Sequence, residues 1–431
     1  MLKSFYKKIK SRVVDSAFIK NVFAVSFASV ITQVMPIFTA PILTRIYSPE
    51  DYGLLGIILV VCNLIGVFIT FGYSNAIITA VDDKEAESVL ALCLKSILII
   101  TTCTCIFLLV FAKSIAKFIS IADYSLLIFI PVNVFLGGFS SVYGTIATRL
   151  KYFKMLAINR VIAVVASSVC SIIIGLLFKN VIGLLIGFLI GQIITGFVLF
   201  YLIQKKQVLP SISELIKSTT KVVAKKYKNF PLYSLPSEFI NNFSNQIPIF
   251  LINKFSINPQ AAIGHYNMSN RMLGMPISII STSIGEVFKQ RAAQDYNQSG
   301  TCRPIFLKTF KTLVLSAIIP FLIIGLFGSN LFAFAFGEKW RAAGFYSQIL
   351  AVMFFFRFTI SPLTYVFFVA GKQKLDFVLH QLFVVFGFLS LYIGFKYYNS
   401  LNISLWLFTI SYSIIYILYF FFSFSFSKKN A

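Results

Sequence analysis

The chain has 431 residues, of which 58% are apolar and only 12% charged, and its mean hydropathy is +0.85. A water-soluble chain carries about 25% charged residues, and no soluble fold could bury this much apolar surface. These proportions exclude a secreted, cytosolic or nucleic-acid-binding globule. The formal net charge of +24 is then a topology signal and not the mark of a nucleic-acid partner.

At the N-terminus, Leu2, Phe5, Ile9 and Val13 share a helical face opposite Lys3, Lys7, Lys10 and Arg12. The pattern fits either a helix lying on an anionic leaflet or a plain basic tail. The apolar run that follows is too long for a cleaved leader, and no small-residue cleavage pattern comes after it. Apolar stretches then predict twelve spans, at about 18–46, 53–75, 89–112, 125–148, 155–178, 181–204, 230–253, 262–287, 305–327, 343–370, 376–395 and 402–426. The runs are long and unalternating, which favours helices over a barrel, whose strands alternate over roughly ten residues. The expected fold is all-α and integral to the membrane.

Counting connections alternately, 26 of the 38 Lys and Arg fall on the side of the two termini, 8 on the other, and Lys95, Arg160, Arg271 and Arg357 inside spans. The positive-inside rule therefore predicts cytoplasmic termini. Cysteines 62, 93, 103, 105, 170 and 302 include no C-x-x-C and have no neighbouring His, so no metal, cofactor or disulfide scaffold is expected.

The longest polar break, Gln204 to Asn229, divides the chain into a six-span bundle at 1–204, a basic cytoplasmic linker at 205–229 and a second six-span bundle at 230–431. Within the linker, Ile212, Leu215, Ile216, Thr219, Val222 and Val223 recur at helical spacing, as in a short surface helix. Pro36-Ile37-Phe38 in the first span recurs as Pro248-Ile249-Phe250 in the seventh, each followed by a Pro turn and then by Gly53 or Gly264. This predicts an internal repeat. Proline weakens a helix locally, so Pro36 and Pro248 are candidate hinges in equivalent broken helices beside a transport pathway.

A charge deep in a bilayer persists only when it is paired or faces a polar cavity. Lys95 and Arg160 are near enough to span ends to snorkel. Arg357 lies about fourteen residues into its span, ~21 Å along the helix, beyond easy snorkelling. Arg271 and Glu238 are also deep, and Glu238, Asn241, Asn242, Asn245 and Gln246 form a polar stripe on the seventh span. One reading is a buried ion-pair network. The other is a mostly cationic cavity between the halves, in which arginines grip an anionic cargo with paired hydrogen bonds and Asn241 and Asn245 meet its hydroxyl groups. Glu238 would then be either an ion-pair partner or the coupling group for protons or sodium ions.

Thr44-Arg45-Ile46-Tyr47-Ser48-Pro49-Glu50-Asp51-Tyr52-Gly53, Phe230-Pro231, and Gly264-His265-Tyr266-Asn267 to Arg271 with Gly274-Met275-Pro276 resemble the O-antigen and polysaccharide flippases of the multidrug/oligosaccharidyl-lipid/polysaccharide exporter superfamily. The resemblance covers the whole chain. It implies two six-helix bundles forming a V in the bacterial inner membrane. It also implies movement of an undecaprenyl-pyrophosphate-linked oligosaccharide to the outer leaflet by alternating access, with Arg45 and Arg271 in matching motifs. Arg357 and the asparagines rest on depth alone.

Two other functions compete. A drug or cation antiporter of the same architecture would want acids in its cavity, yet the second half offers only Glu238 and Glu286 within spans. A membrane glycosyltransferase or polymerase could use Glu50-Asp51, but Ser48-Pro49 equally reads as a helix start with acids in the first turn. No outer segment exceeds about 16 residues, and His265 and His380 stand apart from any acid–base pair, so no enzyme is expected.

Overall fold

The computed structural model describes residue 28, residues 30–205 and residues 220–428. The N-terminal amphipathic stretch and most of the linker helix lie outside the described residues. Among the described residues no strand forms; one isolated bridge joins Thr301 and Lys428.

The chain begins with α1 (Val30–Ile46), α2 (Pro49–Phe68) and the short α3 (Ser74–Thr79). Next come α4 (Asp83–Phe118), α5 (Phe129–Arg149), α6 (Phe153–Phe178), α7 (Val181–Ile193) and α8 (Leu199–Lys205), with a π-helical stretch at Ile194–Val198 joining the last two. After the linker follow α9 (Lys221–Lys226), a second π stretch at Phe230–Ser234, α10 (Leu235–Phe255) and the long α11 (Pro259–Ser299). The chain closes with α12 (Arg303–Phe336), α13 (Arg341–Ile360), α14 (Val366–Val369), α15 (Gln373–Tyr398) and α16 (Leu401–Phe426).

Nine helical stretches among the described residues are long and apolar enough to cross a membrane. They correspond to nine of the twelve expected spans. The other three are α1, α10 and α11, which carry Arg45 and Arg271, the asparagine stripe, and Pro36 and Pro248. Exposed apolar side chains such as Leu98, Ile99, Ile106, Phe107, Leu109 and Val110 on α4 would be costly in water and suit a lipid surface. The chain is a multi-pass membrane protein.

Helix starts follow local chemistry. At α2 the Ser48 backbone N–H and hydroxyl both donate to Asp51 Oδ2 at 2.9 Å, and the Asp51 N–H donates back to Ser48 Oγ at 3.2 Å. Pro49 occupies the first helical position, where its missing N–H has no partner to lose. The start of α11 repeats the device, with Asn258 Oδ1 accepting from the Ala261 N–H at 3.4 Å ahead of Pro259. At α4, Asp82 Oδ1 accepts from the Glu85 N–H at 2.7 Å while Glu85 Oε2 accepts from Val81 at 2.9 Å.

By their contacts the described residues form two compact units. The first takes residues up to Thr39 and Ile58–Phe243; the second takes Ala40–Ile57 and everything from Ser244. Residues 40–57 thus fall with the second unit and residues 230–243 with the first. In the first unit Phe139 is the aromatic hub, with ring centroids 4.6 Å from Tyr143, 5.0 Å from Phe197 and 5.8 Å from Phe200. In the second, Ile360, Phe367, Leu379, Ile415 and Tyr419 form one core cluster and Phe288, Phe306, Leu363 and Val366 anchor another.

Candidate functional site

Arg45, Arg271 and Arg357 all belong to the second unit, on α1, α11 and α13, and all three are exposed. None forms an ion pair among the described residues; the pairs there are Arg149–Asp83, Lys226–Glu85 and Arg341–Glu338. The Arg357 guanidinium carbon stands 5.6 Å from the Phe354 ring. It is within electrostatic reach of Tyr266, Tyr412 and Tyr416, and Arg271 is within reach of Tyr52. Cationic groups are thus set among tyrosines, which supply flat apolar faces and a hydroxyl donor together.

Fully buried Trp340 ties the motif around Arg45 to the motif around Arg271. Its Nε1 donates to the Thr44 carbonyl at 3.1 Å, its ring meets Tyr52 edge-on at 5.1 Å and His265 edge-on at 5.8 Å. Nothing in the periodicity marks Trp340, although a tryptophan beside charged Glu338, Lys339 and Arg341 is an unusual place for a fully buried ring. Beside this cluster the starts of α2 and α11 meet closely. A Cβ at Gly53 would stand 1.8 Å from the Gln260 carbonyl oxygen, and one at Gly264 would stand 1.9 Å from that of Pro49. Each glycine therefore lets the opposite helix start come to backbone contact.

The first unit contains a polar cavity of about 370 Å³. Asn63, Asn75, Asn133, Gln192 and Asn242 line it, with Glu238 its one carboxylate and no Lys or Arg in the wall. Thr70, Ser74, Ser141 and Thr145 add hydroxyls. Glu238 makes no ion pair among the described residues; its backbone carbonyl accepts from Asn242 Nδ2 at 2.9 Å. Asn133 is 7% exposed, yet its Nδ2 has no partner among the described residues.

One wall of this cavity is a helix break. The expected span 53–75 stops at Phe68, turns through residues 69–73 and resumes as α3 at Ser74. Gly72 has φ +76 and Phe71 has φ +49, a region costing a side-chain-bearing residue about 1–2 kcal/mol. In the Phe71-Gly72-Tyr73-Ser74-Asn75 run the glycine carries the signal, and α3 starts after Tyr73 with no side-chain cap. Irregular backbone at membrane depth is tolerated where it lines a cavity.

The remaining candidates divide between the units. Asn241 is exposed in the first and Asn245 exposed in the second. Pro36 is half-buried within a continuous α1 and Pro248 buried within a continuous α10. Two basic residues counted for topology serve local structure. Arg149 donates to the carbonyls of Ile77, Ala80 and Asp82 at 2.8–3.1 Å, and Lys226 pairs with Glu85, which raises the ammonium pKa above its usual range.

Comparison with known proteins places this geometry. The sequence profile described as "Polysaccharide biosynthesis protein" matches residues 42–344, well over half of the chain. The teichuronic acid biosynthesis protein TuaB of Bacillus subtilis (strain 168) is 30% identical over 156 residues, which are 36% of this chain and 31% of TuaB. The aligned stretch thus spans about a third of that relative. Among solved structures, lipid II flippase MurJ in an inward closed conformation superposes with a TM-score of 0.73 at 13% identity, covering 93% of this chain and 87% of MurJ. An inward-facing multidrug resistance MATE family transporter of the MOP superfamily gives 0.65 at 17% identity, covering 91% and 93%. At such identities the structures show a shared fold, and the profile shows the family: the chain belongs to the polysaccharide biosynthesis protein family.

Proposed function

We propose that this protein is a flippase. It carries an undecaprenyl-pyrophosphate-linked oligosaccharide, an O-antigen or capsule repeat unit, from the cytoplasmic to the outer leaflet of the bacterial inner membrane. Both termini are cytoplasmic, 1–204 and 230–431 are the moving halves, 205–229 is the linker, and transport runs by alternating access. The observation that carries this reading is the set of three exposed arginines in one unit, none ion-paired among the described residues. An unpaired cation at membrane depth is costly, and a pyrophosphate supplies the missing charge in a form that guanidinium grips with two hydrogen bonds. The family and the fold shared with MurJ support the same reading.

In this scheme Arg271 holds the pyrophosphate, Arg45 contributes from the end of α1 and Arg357 from the middle of α13, while Asn241 and Asn245 meet sugar hydroxyls. Glu238 is the candidate for coupling to protons or sodium ions; the ion-pair role has no partner among the described residues. A drug or cation antiporter would need acids where this unit displays arginines.

The test is depletion followed by complementation. Depletion should leave lipid-linked oligosaccharide on the cytoplasmic leaflet. Arg271→Lys keeps the charge but loses the two-pronged grip, so export should fall with protein level unchanged. Full export by Arg271→Ala would contradict the assignment.

A further inference from the structure

The cavity of the first unit has a composition the arginine site does not account for. Its wall is amide, hydroxyl and a single carboxylate, and no cation lines it. Amides and hydroxyls both donate and accept, which matches the alternating donors and acceptors of a sugar ring. Two polar groups there are unspent. Asn133 Nδ2 is buried with no acceptor among the described residues, and a buried donor without a partner costs about 1–3 kcal/mol. Glu238 is an acceptor with no cation beside it. The volume of about 370 Å³ lies in the range of small-molecule sites, ~300–1,000 Å³. The broken backbone at 69–73 forms part of the wall.

We propose that this cavity is the subsite for a sugar of the cargo and that it takes an uncharged or amino-bearing hexose in preference to a uronic acid. A neutral sugar offers an oxygen to Asn133 Nδ2 and a hydroxyl proton to Glu238. An ammonium on an amino sugar would neutralise the carboxylate directly. A uronate would set a second carboxylate beside Glu238 with no Lys or Arg in the wall to balance it, and like charges in one site oppose each other's ionised form. The division of labour is then chemical: arginines for the pyrophosphate, amides and hydroxyls with one acid for the sugar.

The proposal rests on the flippase reading, and its test separates the two. Purified protein would be placed in phosphatidylethanolamine–phosphatidylglycerol vesicles with no ion gradient. Two undecaprenyl-pyrophosphate disaccharides would be compared, differing only in a terminal glucose or glucuronate. The wild type should move the glucose probe about tenfold faster or more, the scale of one uncompensated like-charge contact in a partly screened site. Glu238→Gln should narrow that ratio. Asn242→Lys, one helical turn away, should neutralise the acid and narrow it further, so the outcome does not depend on one variant folding. Equal wild-type rates for the two probes, or a ratio untouched by both variants, overturn the subsite and leave the flippase standing. Movement of neither probe overturns the flippase reading and the subsite with it.

Discussion

A Cβ placed on Gly264 would meet the Pro49 carbonyl oxygen at 1.9 Å and the Gly53 nitrogen at 3.2 Å. These are backbone atoms that cannot rotate aside, so the two helix starts would have to separate. Gly264→Ala should therefore destabilise the purified protein by about 1–3 kcal/mol, read as a lower thermal midpoint. Gly274→Ala, on the same helix with its nearest neighbour an ordinary 3.7 Å from the added carbon, should instead be neutral or stabilising, because alanine is the better helix former by about 0.8–1 kcal/mol. Equal midpoints for the two variants would show that the crossing at Gly53 and Gly264 is not tight. A single hydrogen bond matters beside it. Trp340→Phe keeps a ring for Tyr52 and His265 but strands the Thr44 carbonyl, and should cost about 1–3 kcal/mol in the same assay.

At the scale of elements, the prolines lie where the chain passes from one unit to the other. The boundary between Thr39 and Ala40 falls between Pro36 and Pro41. That between Phe243 and Ser244 falls one turn before Pro248, beside the carbonyl that this proline cannot satisfy. Both helices are nonetheless continuous, with hydroxyls supplementing the backbone, as where Thr44 Oγ1 donates to the Ala40 carbonyl at 2.8 Å. If these are hinges, Pro36→Ala and Pro248→Ala should stiffen α1 and α10 and favour one access state. Single cysteines near Asn245, in a background lacking the native ones, should then label from one side with impermeant thiol reagents. Unchanged two-sided labelling with unchanged export would show that the prolines are not hinges.

Spans and helix starts were legible in the sequence because they rest on local chemistry. Nine apolar runs emerged as helices, and Ser48-Pro49 and Asn258-Pro259 cap as their residue types require. Helix lengths were less legible. Hydropathy registers only the lipid-facing part, so the run at 89–112 lies within Asp83–Phe118 and the run at 262–287 within Pro259–Ser299. Breaks were hidden for the opposite reason. Residues 69–73 stay apolar enough to read as span, and the turn there is carried by Phe71 in a conformation its side chain resists. The 3-10 stretch at Ser361–Tyr365 interrupts the expected span 343–370 in the same way, with Pro362 its one signal. Arg357 could be chosen by depth and Arg45 and Arg271 by their motifs, whereas the unit 1 cavity could not, since Asn63, Asn75, Asn133 and Gln192 come from different helices with no common spacing.

The whole molecule has exposed arginines among tyrosines in the second unit and an amide-lined cavity in the first, on a fold shared with MurJ and a MATE transporter. The central claim is that this one protein suffices to carry a lipid-linked sugar across a bilayer. The most direct measurement reconstitutes it into sealed vesicles holding a fluorescent undecaprenyl-pyrophosphate oligosaccharide and follows, with an impermeant quencher or glycosidase, how much of the probe becomes reachable from outside. The account predicts that protein-bearing vesicles expose the inner pool well beyond protein-free vesicles, and that Arg271→Ala returns them to the protein-free level. Equal exposure with and without the wild-type protein, or full activity in Arg271→Ala, would contradict it.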